Sequence, residues 1–334
     1  MTELPTVSPV PEFSPVPTFK DRRGGLIAFG ILLIIAGGFC ALSVPLMLVG
    51  QVAAAKQAGV ATDYGTMFMC MAMYGALAAI FVCLGVGSIM ARRWARALVL
   101  ILAWSWLLVG VVGIGVMAVI MPNILAATQA AGGQPLPAGA RAFGMFFALG
   151  CMSLFLLLVP LLLVIFYGRR DVKATCEARD PTPRWTDACP LPVLAISLFQ
   201  AFSAASWLLM VLPVSHTVVP FFGCLLSGAA AILFGLVVSA FLGYGAWAMY
   251  RLKLAGWWIT LIGVVAMMAS GLLTFSRVDM IEMYRQMGKS EQQIRQLQQF
   301  SFFQGHSMML FIVLCMLPVL GYLLYVKKYF RPQA

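Results

Sequence analysis

Long uninterrupted runs of apolar residues dominate the chain, and short basic or proline-rich stretches separate them. A transmembrane helix needs about 20 predominantly apolar residues to cross a hydrocarbon core of roughly 30 Å. None of the runs shows the strict alternation of a lipid-facing β-strand. The pattern therefore predicts an all-α integral membrane protein with eight transmembrane helices. The predicted spans are 26–49, 67–90, 98–121, 143–167, 191–214, 221–250, 256–275 and 307–326.

The composition supports this fold class and excludes several others. Hydrophobic residues make up 62% of the 334 residues and charged residues only 10%, against about 45–50% and about 25% in soluble domains. That much apolar surface cannot be hidden in one aqueous core, so soluble enzymes and disordered chains are excluded. The net charge of +11 would suit nucleic acid, but the basic residues follow the sides of the membrane, so no nucleic-acid partner is expected.

The distribution of basic residues predicts the orientation. Sixteen of the 22 Lys and Arg residues fall on one predicted side, before the first span, in the loops after the second, fourth and sixth spans, and after the eighth. Short cytoplasmic loops are enriched in Lys and Arg. We therefore expect both termini to be cytoplasmic, in a multi-pass protein of the bacterial inner (cytoplasmic) membrane.

Residues 1–25 are predicted to form a disordered, proline-rich cytoplasmic tail. The hexapeptide SPVPEF at 8–13 is followed directly by SPVPTF at 14–19. Proline at this density favours an extended chain without a packed core. The tail could present a docking motif for a proline-binding domain, but a simple spacer is the favoured interpretation because no basic residue lies close to these prolines.

The second half of the chain resembles the first at a sequence offset of 158 residues. Arg93 then corresponds to Arg251, and Pro160 to Pro318, while the first helix of each half aligns at an offset of 168. The two prolines predict kinks, with hinges as the alternative. Four spans per copy is an even number, so both copies cross the membrane in the same direction. We predict a tandem 4+4 parallel duplication with a first repeat at 26–170, a cytoplasmic linker at 171–190, a second repeat at 191–334 and an outer amphipathic segment at 279–300 within it.

No Asp, Glu, Lys or Arg lies in the eight predicted spans. Intramembrane chemistry and ion coupling normally depend on such residues. The two histidines, His216 and His306, have no third ligand on a nearby helix, so they do not predict a metal pair. We therefore expect no catalytic residue, no cofactor, no metal site and no enzymatic activity.

The fifth span is the most polar one. Ser197, Gln200, Ser203 and Ser206 recur every three residues and form a strip that winds slowly round the helix. Interhelical hydrogen bonding is the favoured role of such side chains in a membrane bundle. A small polar cavity lined by these four residues is the alternative.

Basic residues next to tryptophans mark the cytoplasmic ends of several spans. Arginine and lysine side chains at this depth reach toward head groups, and indole rings lie at the interface. The candidate lipid head-group anchors are Arg92, Arg93, Arg96, Arg251 and Lys253.

Two thiols, Cys176 and Cys189, lie in the predicted linker. Structural zinc needs four nitrogen or sulfur ligands, and this loop contains no histidine. A disulfide is disfavoured in a reducing cytosol. Free thiols are the favoured interpretation.

The sequence thus favours a non-enzymatic structural or interaction protein of the membrane. Its expected partners are the lipid bilayer and either another membrane protein or further copies of the chain. A transporter or channel for a small or lipophilic substrate is the alternative, supported by the duplication and by the polar strip. An enzyme acting on lipid is the weakest hypothesis.

Overall fold

A computed structural model describes residues 19–58, 64–130, 138–211, 218–288, 291, 294 and 306–330. A π-helical segment, Leu154–Leu158, joins α4 to α5, and short 3₁₀ turns lie at Trp185–Asp187 and Lys327–Phe330. The α-helices in these ranges are α1 Arg23–Ala58, α2 Tyr64–Ile89, α3 Arg93–Ala130, α4 Ala138–Ser153, α5 Val159–Tyr167, α6 Arg170–Arg179, α7 Leu191–Val211, α8 Gly228–Tyr250, α9 Leu254–Arg277, α10 Met280–Gln286 and α11 His306–Val326.

Eight helical stretches in the described ranges are long and apolar enough to cross a membrane, which confirms the predicted number of spans. The predicted tail lies largely outside the described residues, as do His216 and the side chain of His306. The eight stretches are Arg23–Ala53, Cys70–Ile89, Arg93–Ala118, Leu149–Tyr167, Leu191–Leu209, Gly228–Tyr250, Leu254–Arg277 and Met308–Phe330.

Each helix packs mainly on its neighbour in the chain. In the first half α1 lies against α2, α2 against α3, and α3 against α5, while in the second half α7 lies against α8, α8 against α9, and α9 against α11. The two halves meet through α3, α7 and the turn Trp185–Asp187. Many large apolar side chains face outward, as lipid-exposed helices require.

Small residues set the closest helix contacts. A Cβ atom added to Gly30 in α1 would lie 2.8 Å from the carbonyl oxygen of Gly85 in α2, and one added to Gly37 would lie 3.0 Å from that of Ala78. In lipid, such backbone approach allows the van der Waals contact that drives helix association. At the start of the same interface, Ser88 donates to the carbonyl of Leu26 at 2.9 Å.

The π-helical segment ends two residues before Pro160. Pro160 has no N–H group, so the carbonyl of Leu156 loses its ordinary helical donor. The N–H of Val159 bonds instead to the carbonyl of Leu154, five residues back. Gly110 of α3 packs directly against the Leu156 carbonyl, in a space that a Cβ atom could not share. Pro318, in contrast, lies inside the α-helix α11.

A β-hairpin lies where the sequence predicted helix, so the predicted sixth span, 221–250, begins too early. Strands β1 Val218–Phe221 and β2 Cys224–Ser227 pair antiparallel, and α8 follows at Gly228. Phe222 and Gly223 form the turn with φ of 40° and 94°, as a two-residue hairpin loop requires. The N–H of Gly223 donates to the hydroxyl of Thr274 in α9 at 3.0 Å, which holds the hairpin on the bundle.

Identical turns connect α2 to α3 and α8 to α9. Ala91 and Leu252 adopt left-handed φ values of 52° and 55°, and the following residue in each turn bonds back to a carbonyl five residues earlier. This is the Schellman arrangement of a helix C-terminus. Ala91 and Leu252 are 161 positions apart, so these turns correspond at an offset three residues longer than the 158 predicted from the sequence.

These turns, the start of α1, α6 and the end of α11 lie at one end of the bundle, which we call the basic end. The contacts that join these elements run from Arg22 to Thr175, from Tyr250 to Trp185 and from Lys327 to Trp257. The hairpin lies near the opposite end, where α7 and α9 finish. There Asp279 caps α10 by accepting the N–H of Ile281 at 3.2 Å, and Gly288, with φ of 72°, follows the helix.

Candidate functional site

The polar strip of α7 divides between two environments. Ser197 donates to the carbonyl of Ala246 in α8 at 2.7 Å, and Gln200 donates through Nε2 to the hydroxyl of Thr260 in α9 at 2.8 Å. Ser206, in contrast, bonds to the carbonyl of Phe202 in its own helix at 2.9 Å. The structure thus brings Ser197 and Gln200 into the α7–α8–α9 interface and leaves Ser206 out of it.

Ser203 is half-buried and lies beside the point where α8 returns a hydrogen bond to α7. The hydroxyl of Ser239 in α8 donates to the carbonyl of Ala204 at 2.8 Å. The sequence reasoning did not single out Thr260 or Ser239. A hydroxyl facing Gln200 from another span cannot be found from one helix alone, because nothing in the strip specifies the register of its neighbours.

Gln200 retains one unused polar atom. The Thr260 hydroxyl donates its proton to the carbonyl of Gly256 at 2.7 Å, so it can only accept from Gln200, which fixes the amide orientation. Gln200 is 6% exposed, and its Oε1 atom has no hydrogen-bond partner among the described residues. A buried acceptor without a donor is costly. The Oε1 atom of Gln200 is therefore a buried acceptor in the strip that could receive a donor from outside the chain.

A second polar site lies at the basic end, around a buried carboxylate. Asp180 is 2% exposed, and its carboxylate lies 2.7 Å from Nη2 of Arg184 and 3.6 Å from Nη1 of Arg92. It also accepts the backbone N–H of Arg93 at 3.3 Å, so it holds the α2–α3 turn. The hydrogen bond from Arg184 lowers the pKa of this carboxyl to about 2, although burial alone would raise it.

The residues that follow Asp180 also contact the second half of the chain. The carbonyl of Trp185 accepts the hydroxyl of Tyr250, at the end of α8, at 2.9 Å. Residues 180–187 thus contact the α2–α3 turn on one side and α8 on the other; we call them the linker segment. The spacing of Asp180 and Arg184, separated by Pro-Thr-Pro, is the only sequence signal that could have suggested it.

The two thiols of the predicted linker, Cys176 and Cys189, are buried and free. Burial raises the pKa of Cys176 and that of Cys189 to about 11, so both are protonated at neutral pH. Cys176 packs with Tyr167 and Val172 in the core of the first half. No group of three metal-ligating side chains occurs within the described ranges.

The predicted lipid anchors also divide between two environments. Arg93 lies 3.3 Å from Glu177 and 3.5 Å from Asp187, and Arg92 reaches Asp180. Arg96 is half-buried, with its Nε atom enclosed and without a hydrogen-bond partner in the described part of the chain. The anchors of the second half are exposed, and the ammonium of Lys253 lies 4.2 Å from the ring centre of Trp247.

Eight long apolar helices with interfacial aromatic and basic residues are the features of a helical multi-pass membrane protein. Comparison with protein-family models, with curated proteins and with solved structures finds no match for this chain.

Proposed function

We propose that this chain is a non-enzymatic, multi-pass protein of the bacterial cytoplasmic membrane with a structural or interaction role. The observation that carries the proposal is that two residues of the polar strip of α7 bond to neighbouring helices. Ser197 donates a hydrogen bond to α8, and Gln200 donates one to α9. Polar residues that hold membrane helices together make such bonds. The excess of Lys and Arg on one side supports cytoplasmic termini.

We further infer that the fold arose by duplication of a four-helix unit. Gly30 contacts Gly85 in the first half, and Ser197 contacts Ala246 in the second. These pairs correspond at offsets of 167 for the first helix and 161 for the second. The same two offsets relate the contact of Gly37 with Ala78 to that of Ala204 with Ser239. Two contacts that agree on both offsets support a common origin with a register different from the predicted one.

The structural role is tested by separating assembly from permeation. Proteoliposomes containing wild type and the Gln200→Leu variant are mixed rapidly with glycerol or urea, and volume recovery is followed by light scattering. The proposal expects both proteins to match protein-free liposomes. The loss of the interhelical bond in Gln200→Leu is expected to lower the free energy of unfolding in detergent by about 0.6 kcal/mol. Faster solute entry through the wild type that Gln200→Leu abolishes would contradict the structural role.

That outcome would favour the second candidate, a transporter or channel for a small polar solute. The buried, unpartnered Oε1 of Gln200 is the observation in its favour, because it could accept a donor from such a solute. Ser206→Ala provides the matched control, since Ser206 bonds only within α7 and its loss should not affect permeation.

The interaction role predicts self-association or a membrane partner. Single-molecule photobleaching of a fluorescently tagged chain in bilayers measures the number of copies per complex. One bleaching step at every surface density would exclude a homo-oligomer and leave a different membrane protein as the partner. A reporter fused after Ala334 tests the proposed orientation, and a periplasmic reporter would contradict it.

A further inference from the structure

The carboxylates at the basic end are unequally distributed between the two halves. Every carboxylate that the structure describes at this end pairs with a cation of the first half or of the predicted linker at 171–190. The pairs are Asp21 with Arg179, Asp171 with Arg22, Glu177 with Arg93 and Lys173, Asp180 with Arg184 and Arg92, and Asp187 with Arg93. No described carboxylate remains for the basic residues of the second half.

Four cations of the second half therefore lack an ion-pair partner within the described ranges. Arg251 and Lys253 lie in the α8–α9 turn, and Lys327 and Lys328 follow α11. We call these four residues the second-half cation patch.

Aromatic rings hold the lysines of the patch at the end of the bundle. The ammonium of Lys327 lies 4.7 Å from the ring centre of Trp257 and 5.6 Å from that of Trp258. Trp257 is 1% exposed, and its indole N–H donates to the carbonyl of Leu323 at 2.8 Å, so the ring under Lys327 is fixed to α11. The ammonium of Lys328 lies 3.8 Å from the ring centre of Tyr325. A ring face attracts a cation without neutralising it.

Neighbouring aromatic side chains indicate the depth of the patch. Trp247 and Trp258 are 45% and 46% exposed, and half-exposed tryptophans next to apolar spans lie at the level of lipid head groups. Fixed cations at that depth, with no carboxylate beside them, match the charge and position of lipid phosphates.

We propose that the second-half cation patch binds the phosphate groups of anionic phospholipids and prefers them to zwitterionic ones. This inference rests on the membrane placement proposed above. It also changes the set of anchors expected from the sequence. Arg92 and Arg93 pair with carboxylates of the predicted linker. Arg251 and Lys253 instead act together with Lys327 and Lys328, which were not predicted as anchors from the sequence.

The test measures which lipids remain bound. Wild type is equilibrated in detergent with equimolar phosphatidylglycerol and phosphatidylcholine, purified, and its retained lipids are quantified by mass spectrometry. We expect phosphatidylglycerol to be enriched. The variant K253Q/K327Q/K328Q is expected to lose about fivefold in enrichment for each cation that contacts a phosphate. K253R/K327R/K328R keeps the charge and is expected to keep the enrichment.

The matched control removes three cations from the first half. Lys20, Arg169 and Arg170 are exposed and form no ion pair among the described residues, so K20Q/R169Q/R170Q lowers the net charge equally. Its enrichment should stay near the wild-type value. Equal losses in the two glutamine variants would overturn the proposal, because a general positive field would then explain the binding. All variants are first checked for a single wild-type-like peak in size-exclusion chromatography.

Two further outcomes would also overturn the proposal. Wild type without any enrichment, in a protein that still inserts into liposomes, would reject the patch while leaving the membrane role intact. Enrichment that appears only after removal of residues 1–18, which carry Glu3 and Glu12, would show that the chain's own N-terminal segment occupies the patch.

Discussion

The buried carboxylate of Asp180 accepts the backbone N–H of Arg93 at 3.3 Å, across 87 residues of sequence. This bond ties the linker segment to the α2–α3 turn and leaves the Arg93 side chain free to pair with Glu177 and Asp187. The turn between the second and third spans is thus held by backbone and side-chain contacts together.

Replacing Asp180 is expected to weaken this connection. Asp180→Asn keeps the shape but loses the ionic interactions with Arg184 and Arg92, and should destabilise the protein by about 1–3 kcal/mol. Thermal denaturation in detergent measures the change. Glu177→Gln serves as the control, because Glu177 is 41% exposed and such pairs contribute less than about 1 kcal/mol. Equal effects of the two substitutions would contradict the central role of Asp180.

The stability of the fold should depend on pH through the same carboxyl group. Its pKa falls from 3.8 to about 2 in the folded protein, so folding favours the ionised form. The stabilisation is fully present above about pH 4 and is lost as pH falls toward 2. Unfolding temperatures measured from pH 6 to pH 2 should decline more steeply in wild type than in Asp180→Asn. Parallel curves would show that another group controls acid sensitivity.

The linker thiols are expected to resist alkylation in the folded protein. With a pKa near 11 instead of 9, each thiol has about a hundredfold smaller thiolate fraction at neutral pH. N-ethylmaleimide should therefore modify Cys176 and Cys189 rapidly only after denaturation in SDS. The measurement uses a variant in which alanine replaces the remaining cysteines, Cys40, Cys70, Cys83, Cys151, Cys224 and Cys315. Rapid labelling of the native protein would show that the linker opens in solution.

Replacement by alanine should affect stability differently at two glycines of α1. A Cβ atom at Gly30 would lie 2.6 Å from Ile89 and 2.8 Å from the Gly85 carbonyl, whereas Gly38 has open space. Gly30→Ala should destabilise the α1–α2 pair by about 1–3 kcal/mol. Gly38→Ala should be neutral or stabilising by up to about 1 kcal/mol. Unfolding by SDS titration compares them, and equal stability would mean that α1 and α2 do not approach this closely.

The number of the spans and their approximate positions could be predicted from the sequence because the lengths of the apolar runs indicate them. The hairpin could not, because Val218 to Ser227 contains few polar residues and merges with the apolar run of α8. Its one local signal was Phe222-Gly223, a pair that adopts the positive φ values of a tight turn.

The offset of 158 was predicted from identical residues, which explains why it differs by three residues from the offset between the two turns. Pairing Arg93 with Arg251 matches side-chain identity, whereas the structure matches the turns at Ala91 and Leu252. Within the candidate site, the hydrogen bond of Gln200 depends on which residue of α9 faces it. That relationship depends on how the helices pack, and one sequence does not contain it.

Gly87 and Ala95 lie at the places in the first turn that Ala248 and Gly256 occupy in the second. A Cβ atom on Gly87 would lie 2.6 Å from that of Ala95, and one on Gly256 would lie 2.6 Å from the backbone nitrogen of Met249 and 3.0 Å from the Cβ atom of Ala248. Neither turn therefore has room for a Cβ atom at its glycine. Gly87→Ala should therefore destabilise the turn, and adding Ala95→Gly should restore much of the loss, a coupling that a double-mutant cycle measures. In both turns the glycine is therefore required by the close approach of the helix that faces it, although it belongs to α2 in one turn and to α9 in the other.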